Sequence, residues 1–179
     1  MAARALTVWV ALAIAGGLLT GCVPDTEPEP TAPFTTEAEA FAAAEATYRA
    51  YVDALNRVDL SDPETFEDVY AWTTGDANSA ERQSLSGMHA EGWNVQGSST
   101  LMSTVPVSAE LSNPARVTIV GCLDVTDVRL VDEHGESVVS PDRPPVQTVL
   151  VVAIQDSSTP TGLIIDSLDG REASECSAE

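Results

Sequence analysis

The stretch TEAEAFAAAEATYRAYVDALNRV, residues 36–58, decides the fold of this chain. Thr36 followed three residues later by Glu39 is a capping-box signature, which marks the start of a helix. Apolar side chains then recur at spacings of three and four residues, at Phe41, Ala44, Tyr48, Val52 and Leu55. Because this spacing places them on one face, we predict a long amphipathic helix that packs against another layer.

Two shorter helices are predicted after the first. Ser61-Asp62-Pro63-Glu64 is a second start signal, since Ser or Asp caps a helix and Pro suits its first turn. The apolar side chains that follow it are Phe66, Val69, Tyr70 and Trp72. A third helix is predicted from residue 74 or 76 to residue 91, and Gly92 stands where a C-cap glycine is typical.

From Trp93 onward the apolar period changes to two, which is typical of strands that bury one face. We predict one or two strands over residues 93–107 and another over residues 117–125, with Gly121 as a bulge or bend. The runs 146–154 and 163–168 are rich in Val, Ile and Leu, and they predict two strands paired across a turn.

Helices followed by four to six strands with short turns predict an α+β domain. Its N-terminal helices would pack on one face of a single, strongly curved antiparallel sheet. Seven of the eight aromatic residues after Cys22 precede residue 73, whereas the strands supply aliphatic side chains. We therefore expect rings on the concave side of the sheet, where Tyr48, Tyr70, Trp72 and Trp93 are the candidates to line a pocket, the alternative being a filled core.

Residues 1–21 have the three parts of a secretory signal peptide. Arg4 is the only charge, and the apolar run of 15 residues that follows it is too short to span a bilayer. The run ends in Leu19-Thr20-Gly21-Cys22, which resembles the bacterial lipobox at all four positions. The resemblance implies cleavage before Cys22, a diacylglyceryl group on its sulfur, and a lipoprotein held at the outer face of the cell membrane. The alternative is an ordinary secretory signal that ends near a cysteine.

Residues 22–35 are predicted to be the lipidated cysteine and a tether. The segment has no apolar periodicity and contains Pro24, Pro28, Pro30 and Pro33. Polyproline geometry at about 3.1 Å per residue would hold the domain on the order of 30 Å from the bilayer. Residues 36–179 are predicted to form one α+β domain.

The predicted lipid on Cys22 leaves the other two cysteines available to form a disulfide. If Cys22 carries lipid, Cys122 and Cys176 remain as a pair in an oxidising compartment, where a disulfide persists. The bond would tie the C-terminal tail to a strand and stabilise the fold by about 3–4 kcal/mol. The alternative is two separate buried thiols.

The charge of the chain limits its partners. There is no lysine, and after residue 21 the 7 arginines stand against 28 acidic residues, a net charge of −21. Such a surface repels phosphate backbones and anionic lipid headgroups, so nucleic acid is excluded as a partner. Attachment to a membrane must then come from the lipid on Cys22.

The order of helices and strands, the tether, the cysteine near the C-terminus and the segment 117–135 together resemble a known class. The segment runs from an aliphatic strand through Cys122 and Asp124 to an Asp-Glu-His-Gly turn. The chain is similar in these features to actinobacterial surface lipoproteins of the nuclear-transport-factor-two-like, cone-shaped class. The resemblance implies a long N-terminal helix packed in a strongly bent sheet, sometimes with an apolar pocket, and it carries over no functional residue.

Motifs for metal, cofactor and nucleophile chemistry are absent from the sequence. His89 and His134 are the only histidines, and there is neither a His-Glu-x-x-His nor a Cys-x-x-Cys motif. His89 near a helix C-terminus is explained as a favourable partner of the helix dipole. The chain also lacks a Gly-x-Ser-x-Gly elbow and a glycine-rich phosphate loop. We therefore predict no metal and no cofactor.

Three functional hypotheses remain. The first is a non-catalytic binding or scaffolding module of the cell envelope, which captures an apolar small molecule or docks an envelope protein. The second is an isomerase- or cyclase-like enzyme that acts on an apolar small molecule with a buried carboxylate and a tyrosine. The candidates for that chemistry are Tyr48, Tyr51, Tyr70 and Asp124. The third is an interaction domain with a filled core.

Overall fold

The computed structural model describes residues 33–172 and Cys176. The predicted signal peptide, Cys22 and the tether up to residue 32 lie outside the described residues. Within the described part, helix α1 spans Glu37–Leu55, a 3-10 helix spans Pro63–Phe66, α2 spans Glu67–Tyr70 and α3 spans Gly75–Ala90. The three helices predicted from the sequence are confirmed, the second as a 3-10 turn that continues into α2.

Hydrogen bonds at the helix starts explain where α1 and the 3-10 helix begin. The hydroxyl of Thr36 accepts a hydrogen bond from the N–H of Glu39 at 3.2 Å, and the Glu39 carboxylate accepts one from the N–H of Thr35 at 2.9 Å. The Asp62 carboxylate likewise accepts a hydrogen bond from the N–H of Glu64 at 3.1 Å. These side chains satisfy N–H groups that no helical carbonyl can reach.

The strands of the described residues are β1 Asn94–Gln96, β2 Thr100–Glu110, β3 Arg116–Asp124, β4 Arg129–Val131, β5 Val146–Gln155 and β6 Leu163–Arg171. Four of them form an antiparallel sheet in the order β2-β3-β5-β6, and β1 pairs with β4 in a separate sheet. The predicted α+β fold is confirmed. Its strands are divided between two sheets, however, where the sequence predicted one.

The turn after β3 accounts for the second sheet. The guanidinium of Arg143 donates hydrogen bonds to the carbonyl of Val125 at 2.9 Å and to that of Val128 at 2.7 Å. These bonds hold the chain in a turn at the end of β3. Because the chain leaves the main sheet there, β4 pairs with β1 instead of extending β3.

Helix α1 lies against the sheet through Tyr48, which is only 1% exposed. A Cβ atom added to Gly121 in β3 would lie 2.9 Å from Cδ1 and 3.1 Å from Cζ of the Tyr48 ring. Glycine is therefore required because the ring approaches the strand closely. The bulge predicted at Gly121 is wrong, since this residue pairs in regular register with Thr104 and Val149.

Two register shifts lie in the edge strand β2 instead, and another lies between β5 and β6, where the pairing skips Asp166. The pairing of β2 with β3 skips Met102 and Val107, whose side chains are 55% and 54% exposed. Pro106 lies between these two positions. Bulges and proline at the edge of a sheet discourage pairing with a strand of another chain.

The opposite face of β3 carries the disulfide. Successive residues of a strand point to opposite faces, so Cys122 faces away from α1. It is bonded to Cys176, and the two Cα atoms are 5.5 Å apart. The pairing predicted from the cysteine count is therefore present, and it joins the C-terminal end of the chain to an inner strand.

We predict that Gly121→Ala lowers the free energy of unfolding by about 1–3 kcal/mol, because the added methyl group overpacks the contact with the Tyr48 ring. Urea unfolding measures the change. The matched control is Gly87→Ala in α3, where an added Cβ meets no atom within 4 Å. This substitution should stabilise the protein by about 0.5–1 kcal/mol, since alanine favours a helix over glycine. Equal effects of the two substitutions would contradict the packing account.

We predict that Cys176→Ser lowers the free energy of unfolding by about 2–4 kcal/mol, because it opens a loop that spans 54 positions of the chain. Cys176 is the better residue to replace, since Cys122 is buried and its loss would also leave a void. Urea unfolding with and without a reductant checks the prediction. Reduction should weaken the wild type by a similar amount and leave C176S unchanged. A C176S protein as stable as the oxidised wild type would refute it.

Candidate apolar binding site

A cavity of about 230 Å³ lies at one end of the core, between the ends of α1 and α3 and the β1–β4 sheet. We call it the β1–β4 cavity. Its apolar lining residues are Leu55, Val58, Leu60, Leu85, Met88, Val95, Val128 and Leu130. The other lining residues are uncharged, namely Asn56, Gln96, Gly97 and Ser99.

The end of α3 builds one side of the β1–β4 cavity. Gly92 follows the helix with φ of +67°, a conformation that glycine adopts without strain. The N–H of Gly92 donates to the carbonyl of His89, and the N–H of Trp93 donates to that of Met88, both at 3.0 Å. This pair of bonds is a Schellman motif, and it confirms the C-cap predicted at Gly92. The motif turns the chain from the helix directly into β1.

The β1–β4 sheet covers the opposite side of the cavity. Val95 lies directly across from Leu130 in the ladder, and both side chains line the cavity. Gly97 follows β1 with φ of +78°, and a Cβ atom there would lie 2.7 Å from the carbonyl carbon of Asp127. Glycine is needed at this position because the end of β1 approaches the β3–β4 turn closely.

Two polar links fasten the segments around the cavity. The side-chain amide of Asn56 donates to the carbonyl of Ser99 at 2.9 Å and accepts from its N–H at 2.8 Å. Nδ1 of His89 lies 2.6 Å from the carbonyl oxygen of Leu60. Since a carbonyl only accepts, Nδ1 carries the hydrogen and donates it. The histidine therefore joins α3 to the chain after α1, a role more specific than the dipole interaction predicted for it.

The apolar walls of the cavity are partly open to solvent. Leu60 and Leu85 are buried, but six other apolar lining residues keep partial exposure: Leu55, Val58, Met88, Val95, Val128 and Leu130. A closed core would hide such side chains completely. The β1–β4 cavity is thus apolar surface that a molecule can reach from solution.

The four residues predicted to line a pocket do not line this cavity. Tyr48 is buried against Gly121. The ring of Tyr70 lies beneath the guanidinium of Arg82, 3.9 Å from the ring centroid, at a surface groove. Trp72 and Trp93 are half-buried against the core, and Trp93 immediately precedes β1. Their shared pocket therefore gains no support from this geometry, and it stays a prediction.

Sequence reasoning missed the lining residues because they are ordinary aliphatic side chains from four separate segments. Leu55 and Met88 looked like core positions of their own helices. The one local signal was the pair Gly92 and Gly97 on either side of a short strand. Two glycines so placed indicate a strand attached by tight turns.

A partly buried acid and two buried tyrosines lie in a different part of the structure. The hydroxyl of Tyr51 donates a hydrogen bond to Oε1 of Glu81 at 2.5 Å, and the rings of Tyr48 and Tyr51 stack with centroids 5.9 Å apart. Burial raises the pKa of Glu81, against the smaller opposing effect of the Tyr51 hydrogen bond. Burial also raises the pKa of Tyr48 and of Tyr51, and the charge of Glu81 adds to both shifts. Glu81 was not among the sequence candidates.

The other two acid–base candidates lie elsewhere. Hydrogen bonds from the side chain and the N–H of Thr126 hold the pKa of Asp124 below its usual value. Such a carboxylate is a weak base. Burial raises the pKa of Tyr70, while the nearby Arg82 lowers it. The structure thus brings together Tyr48 and Tyr51 but not Asp124.

The described residues form neither a metal-binding cluster nor a membrane-spanning helix. No group of three or more His, Cys, Asp and Glu side chains is arranged to hold a metal ion in this part of the chain. Nor does any helix of residues 33–172 combine the length and apolarity that crossing a bilayer requires.

Glu81→Gln tests the consequence of burying this carboxyl group. Because burial raises the pKa of Glu81 in the folded state, that state holds its proton to a higher pH than the unfolded chain does. The free energy of unfolding of the wild type should therefore fall relative to that of E81Q between about pH 4 and about pH 7. Urea unfolding at both pH values measures the difference.

Glu45→Gln is the control with the opposite sign. The hydrogen bond from Arg49 lowers the pKa of Glu45, so the wild type should gain stability relative to E45Q as the pH rises to about 5, with little further change up to about pH 7. The gain should be small because this carboxylate is largely exposed. A stability difference between E81Q and the wild type that does not change with pH would contradict the account of Glu81.

Comparison with known proteins gives the fold but no family. No protein-family model matches the chain, and no curated protein matches it. The periplasmic domain of DotI is similar in structure, with a TM-score of 0.52 and 12% sequence identity over 80% of this chain and 100% of that one. A periplasmic fragment of TraM has a TM-score of 0.49 and 14% identity over 78% of this chain and 100% of that one. The likeness to the DotI domain supports the α+β fold described above.

Proposed function

We propose that this chain is a lipid-anchored, extracytoplasmic domain of the bacterial cell envelope that acts by binding and not by catalysis. The observation that carries the proposal is the disulfide between Cys122 and Cys176. Structural disulfides persist in oxidising compartments and are rare in the cytosol. The periplasmic origin of the DotI domain, a fold of the same kind, agrees with this location.

The proposed anchor is the lipid on Cys22. The four residues from Leu19 to Cys22 match the lipobox pattern. This match agrees with the resemblance of the chain to actinobacterial lipoproteins. Two acyl chains at about 0.8 kcal/mol per buried methylene hold a protein firmly to a bilayer. The net charge of −21 after residue 21 leaves the protein surface no attraction of its own for anionic lipids. The lipid would therefore account for all of the protein's attachment to the membrane.

The β1–β4 cavity supports binding as the activity. It is uncharged and mainly apolar, and a small molecule or an apolar side chain of an envelope protein could enter it. A scaffold that docks a protein would use the same apolar surface to bury a side chain of that protein at the centre of the interface.

The observation that favours an enzyme is the Tyr51–Glu81 pair, because an acid with a raised pKa beside a tyrosine is suited to acid–base chemistry. Neither residue lines the β1–β4 cavity, however. A substrate held there would not touch the pair. Binding is therefore the function that the geometry supports best, and an isomerase- or cyclase-like activity is the second candidate.

Cys22→Ser tests the anchor. In cells fed labelled palmitate, the wild type should take up the label and lose the mass of residues 1–21. The C22S protein should take up none and keep the mass of the uncleaved precursor, because it lacks the sulfur that the acyl group is attached to. The control C176S should be labelled like the wild type. A labelled C22S protein, or an unlabelled wild type, would rule out the anchor.

A further inference from the structure

We propose that the β1–β4 cavity binds an uncharged, mainly hydrocarbon molecule of roughly ten non-hydrogen atoms, such as a fused pair of aromatic rings or a medium-length alkyl chain. The proposal rests on the binding function argued above. It specifies where the ligand binds, what charge it carries and how large it is.

The walls define the ligand as apolar. Eight aliphatic or methionine side chains line the cavity, and six of them keep partial exposure. A ligand that covers this surface gains about 25 cal/mol for each Å² of apolar area removed from water. Met88 adds a flexible, polarizable wall, which adapts to ligands of different shape. A hydrocarbon ligand is the kind that gains most from such a lining.

The lack of charge in the lining defines the ligand as neutral. The chain carries 28 acidic and 8 basic residues, yet among residues 33–172 no acidic or basic side chain lines the cavity. An ion that entered would lose water and find no opposite charge in the lining, which is costly. The negative charge of the surrounding protein surface adds a further penalty for anions.

The polar lining residues explain how a neutral polar group would be accommodated. Asn56 and Ser99 are hydrogen-bonded to each other, which uses one of the two N–H groups of the Asn56 amide and one lone pair of its oxygen. Gln96 also borders the cavity, but it follows Val95 in β1, so its exposed side chain points to the opposite face of the strand. One hydroxyl or carbonyl at the end of the ligand could meet the second N–H of the Asn56 amide or the Ser99 hydroxyl, which makes a neutral hydrocarbon with a single polar end the best fit.

The volume of the cavity sets the size of the ligand. An engineered protein cavity of about 150 Å³ accepts benzene, which has six non-hydrogen atoms. The β1–β4 cavity has about 230 Å³. In proportion, it holds roughly ten such atoms, the size of naphthalene or of a chain of eight to ten carbons.

The experiment compares two probes that differ in charge but hardly in shape. The processed chain without lipid, residues 23–179, retains every described residue and is titrated by calorimetry with 2-naphthalenemethanol and with 2-naphthoate at neutral pH. The alcohol should bind saturably with one site per chain. The carboxylate should bind at least about tenfold more weakly, because its charge is not compensated in the cavity.

A matched pair of variants tests the place of binding. Val95→Phe puts a ring into the cavity and should weaken binding of the alcohol by at least about tenfold. Val105→Phe makes the same change at an exposed position of β2 and should leave binding within about twofold. If circular dichroism shows that V95F does not fold, Val128→Phe is the second variant. It fills the cavity from the residue just before β4 and must weaken binding of the alcohol by the same factor.

Three results would overturn the proposal. They are no saturable binding of the alcohol, equal binding of alcohol and carboxylate, and unchanged binding to a folded V95F or V128F protein. None of these results bears on palmitate labelling of Cys22. Failure of the ligand proposal is thus distinguishable from failure of the proposed envelope location.

Discussion

The close contact between the Tyr48 ring and the bare backbone of Gly121 is the constraint on which the rest of the structure depends. It brings α1 down onto an inner strand of the sheet, and no other residue type leaves room for the ring at that position. The next residue, Cys122, points to the opposite face and carries the disulfide. The dipeptide Gly121-Cys122 therefore holds a helix on one side of the sheet and the C-terminal end of the chain on the other.

The position of α1 then determines the position of α3 and of the cavity. The ring of Tyr51 stacks on that of Tyr48 and its hydroxyl reaches Glu81, so α3 is linked to α1 by a partly buried hydrogen bond. The far end of α3 closes with the Schellman motif at Gly92, which directs the chain into β1. The cavity lies where these ends meet, because β1 and β4 cover the gap without filling it.

Local signals in the sequence were sufficient for the helices, the caps and the fold class. Thr36, Glu39 and Gly92 act on neighbours within four residues, so their patterns can be read directly. Gly121 was misread as a bulge because the ring that requires it lies 73 positions earlier in the chain. Glu81 and the cavity lining could not be predicted for the same reason, since packing brings together residues that have nothing distinctive about them singly. The aromatic residues were the obvious pocket candidates in the sequence, yet Tyr48 fills the core and does not line the β1–β4 cavity.

The most direct measurement of the central contact is a double-mutant cycle with Tyr48→Leu and Gly121→Ala. Each substitution alone should destabilise the protein, but the alanine should do less harm when the ring is gone. We predict that the free energy of unfolding of the double variant differs from the sum of the two single effects by at least about 1 kcal/mol. Effects that add to within about 0.3–0.5 kcal/mol would show that the ring and the glycine act independently, and that would contradict the account.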